Sequence, residues 1–211
     1  MNVLLLVPTA LEARPLIRAL KLHRQERGRY SRIENQKQVT LIVSGVGLSA
    51  TEQCLQAVLT DDAPTLFISA GYCGAVNPGL KPGDVLVDAR AAAEGFTSTG
   101  RIATVPAPVR TPGERAALQL LGVDAVEMEG DAVVRAARER KVPALRIRAV
   151  SDTPEDDLTR LIGNLNDLSG WAIARRLLHP GVWPLAWKLA RQSRLAGARL
   201  AVFLGKMLFP E

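Results

Sequence analysis

The chain has 211 residues, 47% of them hydrophobic, with 27 basic and 21 acidic side chains and a formal charge of +6. That length suits one α/β domain around one sizeable core. Cys54 and Cys73 are too few for a disulfide framework, and His23 and His179 form no ligand-spaced cluster, so no metal and no cofactor is expected. The positive charge does not indicate nucleic acid, because seven basic residues and no acidic one lie between 168 and 210, while the rest is balanced at 20 against 21.

Asn2 to Val7 is an unbroken apolar run of strand length, as expected for an internal strand buried on both faces. Met1 runs straight into it with nothing like a signal peptide, which predicts a cytoplasmic protein. Pro8-Thr9 ends the strand, and Glu12 falls in the first turn of a helix with Leu11, Leu16, Ile17 and Leu20 at helical spacing. By itself, an acid there needs no role beyond complementing the helix dipole. The polar stretch 24–37 predicts one modest edge strand. Val39 to Val43 is a further buried strand, closed by Ser44-Gly45-Val46-Gly47 before a helix starting near Ser49. Such a turn lets backbone approach an anion or a sugar edge.

Thr65 to Ala70 is another buried strand, and Gly71-Tyr72-Cys73-Gly74 reads as a second glycine turn. Turns at Asn77-Pro78-Gly79 and Lys81-Pro82-Gly83 lead to a strand from Asp84 to Val87, antiparallel or at a corner. Ala91 to Gly100 is small, polar and expected to be mobile. Ile102 to Val105 is a candidate strand, and Pro112 to Leu121 a helix with proline near its start.

The stretch Asp124 to Asp152 organises the rest. A short strand (Ala125, Val126, Met128) delivers Glu129, a helix follows and stops before Val142-Pro143, and a strand from Ala144 to Val150 ends on Ser151-Asp152. A strand, helix, strand unit predicts two parallel neighbours whose carboxyl ends share one edge. Glu129 and Asp152, 23 positions apart, would then emerge side by side where α/β sheets bind ligands. With Glu12 and the two glycine turns, this predicts a carboxylate-lined crevice in a three-layer α/β fold, with a central mixed, mostly parallel sheet flanked by helices.

Such acids suit cleavage of a glycosidic bond through an oxocarbenium-like transition state. Asp152 is the candidate acid, since it closes a strand rich in apolar residues, where partial desolvation favours the protonated form. Glu129 can accept two ribose hydroxyls, and Glu12 can serve as base towards water.

The runs Val126-Glu127-Met128-Glu129 and Ile147-Arg148-Ala149-Val150-Ser151-Asp152 resemble the signature segments of the nucleoside phosphorylase and nucleosidase superfamily, in particular the methylthioadenosine/adenosylhomocysteine nucleosidases. Ser44 to Gly47, Gly71 to Gly74 and Leu80 to Asp84 follow in the same order, and Glu12 matches that family's water-activating glutamate. The resemblance covers most of residues 1 to 152. It implies that Asp152 protonates purine N7, that Glu129 holds the ribose with Met128 beneath it, and that Ser44, Gly45, Gly71, Tyr72 and the backbone up to Val105 complete the substrate site. It also implies a homo-oligomer and a purine nucleoside substrate, with no nucleic acid.

The expected activity is hydrolytic. Ser69 stands where hexameric phosphorylases carry a phosphate-clamping arginine, Tyr72 is placed to fill the phosphate space, and the interval from Asp84 to Glu127 is shortened. The alternatives are a phosphorylase acting on a nucleoside or an adenosylated lipid, and a degenerate nucleoside-binding protein without turnover. A domain over residues 1–167 and a basic helical extension over residues 168–211 are expected. The extension, with Leu189-Ala190-Arg191-Gln192-Ser193, is similar to hopanoid-associated phosphorylases. Past Asp152, the TPEDD run should cap a helix through Leu158, Leu161, Ile162 and Leu165, with another through Trp171 and Leu177. The last helix, about Leu185 to Met207, carries Trp187 among basic residues, which raises peripheral contact with an anionic membrane.

Overall fold

The computed structural model describes residues 1–59, 63–90, 97–162 and 179–210. Within them a mixed sheet has the path β2-β3-β4-β1-β5-β8-β7, with β9 pairing β5 on its other side and β6 pairing β9. The strands are β1 (Asn2–Val7), β2 (His23–Glu26), β3 (Arg29–Glu34), β4 (Lys37–Val43), β5 (Leu66–Ala75), β6 (Val85–Arg90), β7 (Ile102–Thr104), β8 (Ala125–Glu127) and β9 (Ala144–Asp152). The helices are α1 (Ala10–Ala19), α2 (Leu48–Val58), α3 (Pro112–Leu120), α4 (Gly130–Glu139), α5 (Thr159–Ile162) and α6 (Trp183–Leu208).

β1 is internal, parallel to both β4 and β5. Its apolar residues do not alternate with polar ones because both faces are covered. Val3, Leu5 and Val7 join a cluster with Leu16 and Leu20 of α1 and with Leu200 and Leu204 of α6. Leu4 and Leu6 pack instead with Leu55 of α2 and Val133 and Ala137 of α4. Helices on each face give the three layers. Leu11 is not part of the helix's core face, being 64% exposed.

The sequence expectation needs three corrections. The stretch 24–37 forms a hairpin of two strands, β2 antiparallel to β3, and β3 antiparallel to β4. Gly71 to Gly74 is no turn, because β5 continues through it in register with β9, Gly71 opposite Arg148 and Gly74 opposite Asp152. Finally, β8 and β9 are not parallel neighbours. β8 pairs antiparallel with the end of β5, Gly74 opposite Val126, while β9 runs parallel to β5 on its other side. β1 accompanies only the first half of β5, to Ser69, and β8 takes over from the opposite direction. The ends of β1 and β8 therefore face each other near the middle of β5, and this junction positions the site.

The expectations for residues 91–96, for Leu165 and for the helix through Trp171 and Leu177 lie outside the described residues. α6 packs against α1 and β9 through Ala196, Gly197, Leu200, Ala201, Leu204 and Leu208, a spacing of three and four that puts one helical stripe inward. No helix among the described residues is long and apolar enough to cross a membrane.

Candidate active site

At the junction lies a cavity of about 230 Å³, lined among others by Pro8, Glu12, Tyr72, Gly74, Val105, Arg115, Met128, Glu129 and Asp152. Glu12 reaches it because Thr9 caps α1, accepting from the Glu12 N–H at 3.3 Å and donating its hydroxyl to Oε1 at 2.8 Å. The Tyr72 N–H donates to the other carboxylate oxygen at 2.9 Å. The space is there because residue 71 has no side chain, since a Cβ on Gly71 would lie 2.4 Å from Glu12 Oε2 and 2.9 Å from Arg148 Nη1. Gly71 thus shapes the site from beneath and does not itself line the cavity. Burial raises the Glu12 proton affinity, offset only in part by Tyr72, Thr9 and the charge of Arg148.

Glu129 sits at the start of α4 without capping it. Its Oε1 accepts from the Gly47 N–H at 2.8 Å, and burial raises its proton affinity too, against the pull of Arg148. Ser44 and Gly45 serve the turn, not the cavity. The Ser44 hydroxyl bonds to the carbonyl of Gly45 at 3.1 Å, and Gly45, at φ +89°, has no room for a Cβ beside Ala50. Val105 lines the cavity, and its N–H is taken by the Glu127 carbonyl at 2.7 Å. The backbone contact expected here is therefore not open to the Val105 N–H. Tyr72 meets Glu12 with its backbone, and its hydroxyl lies against α6, where a Cβ on Gly197 would come within 2.5 Å of it. Burial followed by the charge of Glu12 pushes this phenol up to about 12. Cys73 is buried, and burial with nearby Asp152 pushes its thiol up, so it is no nucleophile.

Three residues that organise the site were missed in the sequence. Arg148, on β9, is fully buried at 0% exposure. It pairs with Glu127, donates to Ser69 Oγ at 2.8 Å and lies 3.7 Å from Glu129 Oε2. Glu127 is saturated, accepting also from Thr104 and from the N–H groups of Glu129 at 3.0 Å and Gly130 at 2.7 Å. Burial pushes Glu127 towards protonation, but Arg148 and these hydrogen bonds outweigh it and hold the carboxyl below its usual range. The third is Arg115 of α3, which pairs with Asp152. Asp152 therefore faces a guanidinium where the apolar strand had suggested a desolvated acid, although it lines the same cavity as Glu12 and Glu129.

The shift at Glu12 has a measurable consequence. Its proton is held more tightly in the folded chain, so its contribution to stability is complete below the ordinary value of 4.5 and is lost as pH rises through the folded value. Glu12→Gln, which mimics the neutral form, is expected to be more stable than the natural chain at pH 7, with the gain vanishing below about pH 4.5. Urea midpoints at both pH values measure this, and an equal gain at both would contradict it.

The chain belongs to the phosphorylase superfamily, whose model matches residues 2–101 and 89–168. No curated protein matches the sequence. Among solved structures it is similar to the 5′-methylthioadenosine/S-adenosylhomocysteine nucleosidase of Helicobacter pylori with butyl-thio-DADMe-Immucillin-A, at 15% identity and a TM-score of 0.70 over 98% of this chain and 97% of that one. It is similar to the S-adenosylhomocysteine nucleosidase of Streptococcus pyogenes in complex with 5-methylthiotubericidin, at 20% identity and 0.70 over 99% and 96%. A futalosine hydrolase mutant of Helicobacter pylori matches at 15% identity and 0.70 over 98% and 97%. At these identities the likeness is one of fold.

Proposed function

We propose that this protein hydrolyses the N-glycosidic bond of a purine nucleoside. The observation that carries the reading is the convergence of Glu12, Glu129 and Asp152 on one cavity, backed by a buried arginine whose Nε and Nη1 have no hydrogen-bond partner among the described residues. The base packs against apolar lining residues, Val105, Pro108, Val109, Leu158 and Ile162. Asp152 gives a proton to N7, and Met128 and Glu129 hold the sugar, Glu129 accepting its hydroxyls. Glu12, whose burial makes it a stronger base, takes a proton from water as the water attacks C1′. The nucleosidases of similar fold bind nucleoside analogues, which agrees with this assignment.

Water is favoured over phosphate by charge. Among the described residues the carboxylates of Glu12, Glu127 and Glu129 line the cavity with Asp152, whose proton goes to N7, and with the guanidinium of Arg115; adding Arg148 behind them still leaves three carboxylates to two guanidiniums. A phosphate dianion entering there meets like charge, whereas a neutral water does not. Ser69, at the phosphate-clamp position, is buried under Arg148. Incubation with methylthioadenosine, adenosylhomocysteine and adenosine, with and without phosphate, tests the reading. Free base without phosphate supports it, a strict phosphate requirement replaces it with phosphorolysis, and binding without any release replaces it with a non-catalytic role.

The exposed face of α6 supports a further part of this reading, contact with an anionic membrane surface. Trp187 is 67% exposed, in line with exposed Arg191 and Arg194, and no acid occurs from 179 to 210. Tryptophan suits the bilayer interface and arginine its anionic headgroups. Sedimentation with vesicles containing phosphatidylserine is expected to pull the protein down at low salt and release it at high salt. Equal binding to neutral vesicles, or none, contradicts it.

A further inference from the structure

Arg115 enters the reading above only as a charge in the cavity wall, yet it is among the largest fully buried side chains, 1% exposed. α3 is held at its start by Thr111 and Glu114, each bonding the other's backbone N–H, so the turn carrying Arg115 is fixed. Nη1 donates to the Ala75 carbonyl at 2.7 Å and Nη2 to the Val109 carbonyl at 3.3 Å. Nη2 also donates to Asp152 Oδ2, while Oδ1 of the same carboxylate accepts from Ser151 Oγ at 2.8 Å. Gly74 leaves the room for this, since a Cβ there would come within 2.8 Å of Asp152 Oδ2 and 3.0 Å of Arg115 Nη1. A buried arginine needs a purpose to offset its desolvation, and this one is aimed at a single carboxylate that lines the cavity.

We infer that Arg115 is a positioning residue for departure of the base, acting through Asp152; this rests on the hydrolytic reading above. As C1′–N9 breaks, its electron pair passes to the base and the proton on Asp152 passes to N7. Water adds its oxygen to C1′ and gives its proton to Glu12. Asp152 is left as a carboxylate in a partly dry cleft, and the Arg115 guanidinium, held beforehand by two carbonyls, stabilises that developing charge without reorganising. The interaction strengthens only as the proton leaves, so it acts on kcat and little on KM.

The test compares leaving groups. Arg115→Met is expected to lower kcat for adenosine by about 10²-fold, the scale on which one preorganised donor acts, with KM nearly unchanged. Cleavage of p-nitrophenyl β-ribofuranoside, whose leaving group departs without a proton, should fall less than about threefold, and its retention also shows that the variant folds. Arg115→Lys, which keeps the charge and loses the fork, should lie between. Equal losses on both substrates would make Arg115 merely structural, and no loss on adenosine would make it idle; either overturns the inference while leaving hydrolysis intact. If the natural chain releases base from adenosine only with phosphate, the hydrolytic reading itself fails and this inference with it.

Discussion

Arg148→Met is expected to lower the free energy of unfolding by about 3–5 kcal/mol, the usual cost of leaving one partner of a buried ion pair alone. Arg148 is the cation shared by Glu12, Glu127 and Glu129, with Arg146 farther off at 3.9 Å from Glu127 Oε1, and Glu127 has a fully buried side chain. Methionine fills much of the volume and returns no charge. The pH dependence follows from Glu127, whose folded value is lowered. Its contribution is present above the ordinary 4.5 and lost as pH falls through the folded value. The deficit of the variant should therefore be greatest near neutrality and should narrow in acid, where the stranded carboxyls are neutral. Arg148→Met combined with Glu127→Gln should recover part of the loss, because the buried charge and its lost partner are removed together. Urea unfolding at pH 7 and pH 4 decides: a deficit below about 1 kcal/mol, as for an exposed pair, or the same deficit at both pH values, would count against this account.

Asp152→Asn is expected to reduce kcat for nucleoside hydrolysis by about 10²–10⁴-fold, the range of a positioned general acid. The amide keeps the size of the side chain and an oxygen for Arg115 or for Ser151 Oγ, so substrate binding should change little, while the loss of the counter-charge to buried Arg115 should lower the melting temperature. It has no acidic proton for N7, and the base must leave as an anion. A cooperative thermal melt well above the assay temperature, with KM close to unchanged, would separate lost chemistry from lost structure. Retained turnover would remove Asp152 from the proposed role.

Much of the architecture could be read from periodicity. The unbroken run of β1 indicated burial on both faces, and Pro8-Thr9 followed by Glu12 indicated an acid at a strand end, because these signals are local. The direction of β8 was not legible, since a strand of three residues takes its orientation from the half of β5 that β1 leaves unpaired. Gly71 and Gly74 suggested a turn because glycine is usually read through its backbone freedom. Here the missing side chain is what matters, making room for Glu12 and Arg148 at one position and for Asp152 and Arg115 at the other.

The missed arginines did leave one signal. Arg146 and Arg148 alternate with Leu145, Ile147 and Ala149 in a strand that is otherwise apolar, so both fall on one face. Charges two apart in a buried strand require acids opposite, and the buried Glu127 meets Arg148 while the more exposed Asp131 meets Arg146. Arg115 left no such mark. It lies on an amphipathic helix like any surface arginine, and its burial comes from its side chain reaching in to the Ala75 carbonyl at the end of β5.

The central claim is that water is the nucleophile at C1′. Turnover of adenosine or methylthioadenosine in H₂¹⁸O with phosphate present, followed by mass spectrometry of the sugar product, tests it most directly. The account predicts one ¹⁸O in a free pentose sugar and a rate of base release that phosphate does not change. A pentose 1-phosphate without label would contradict it.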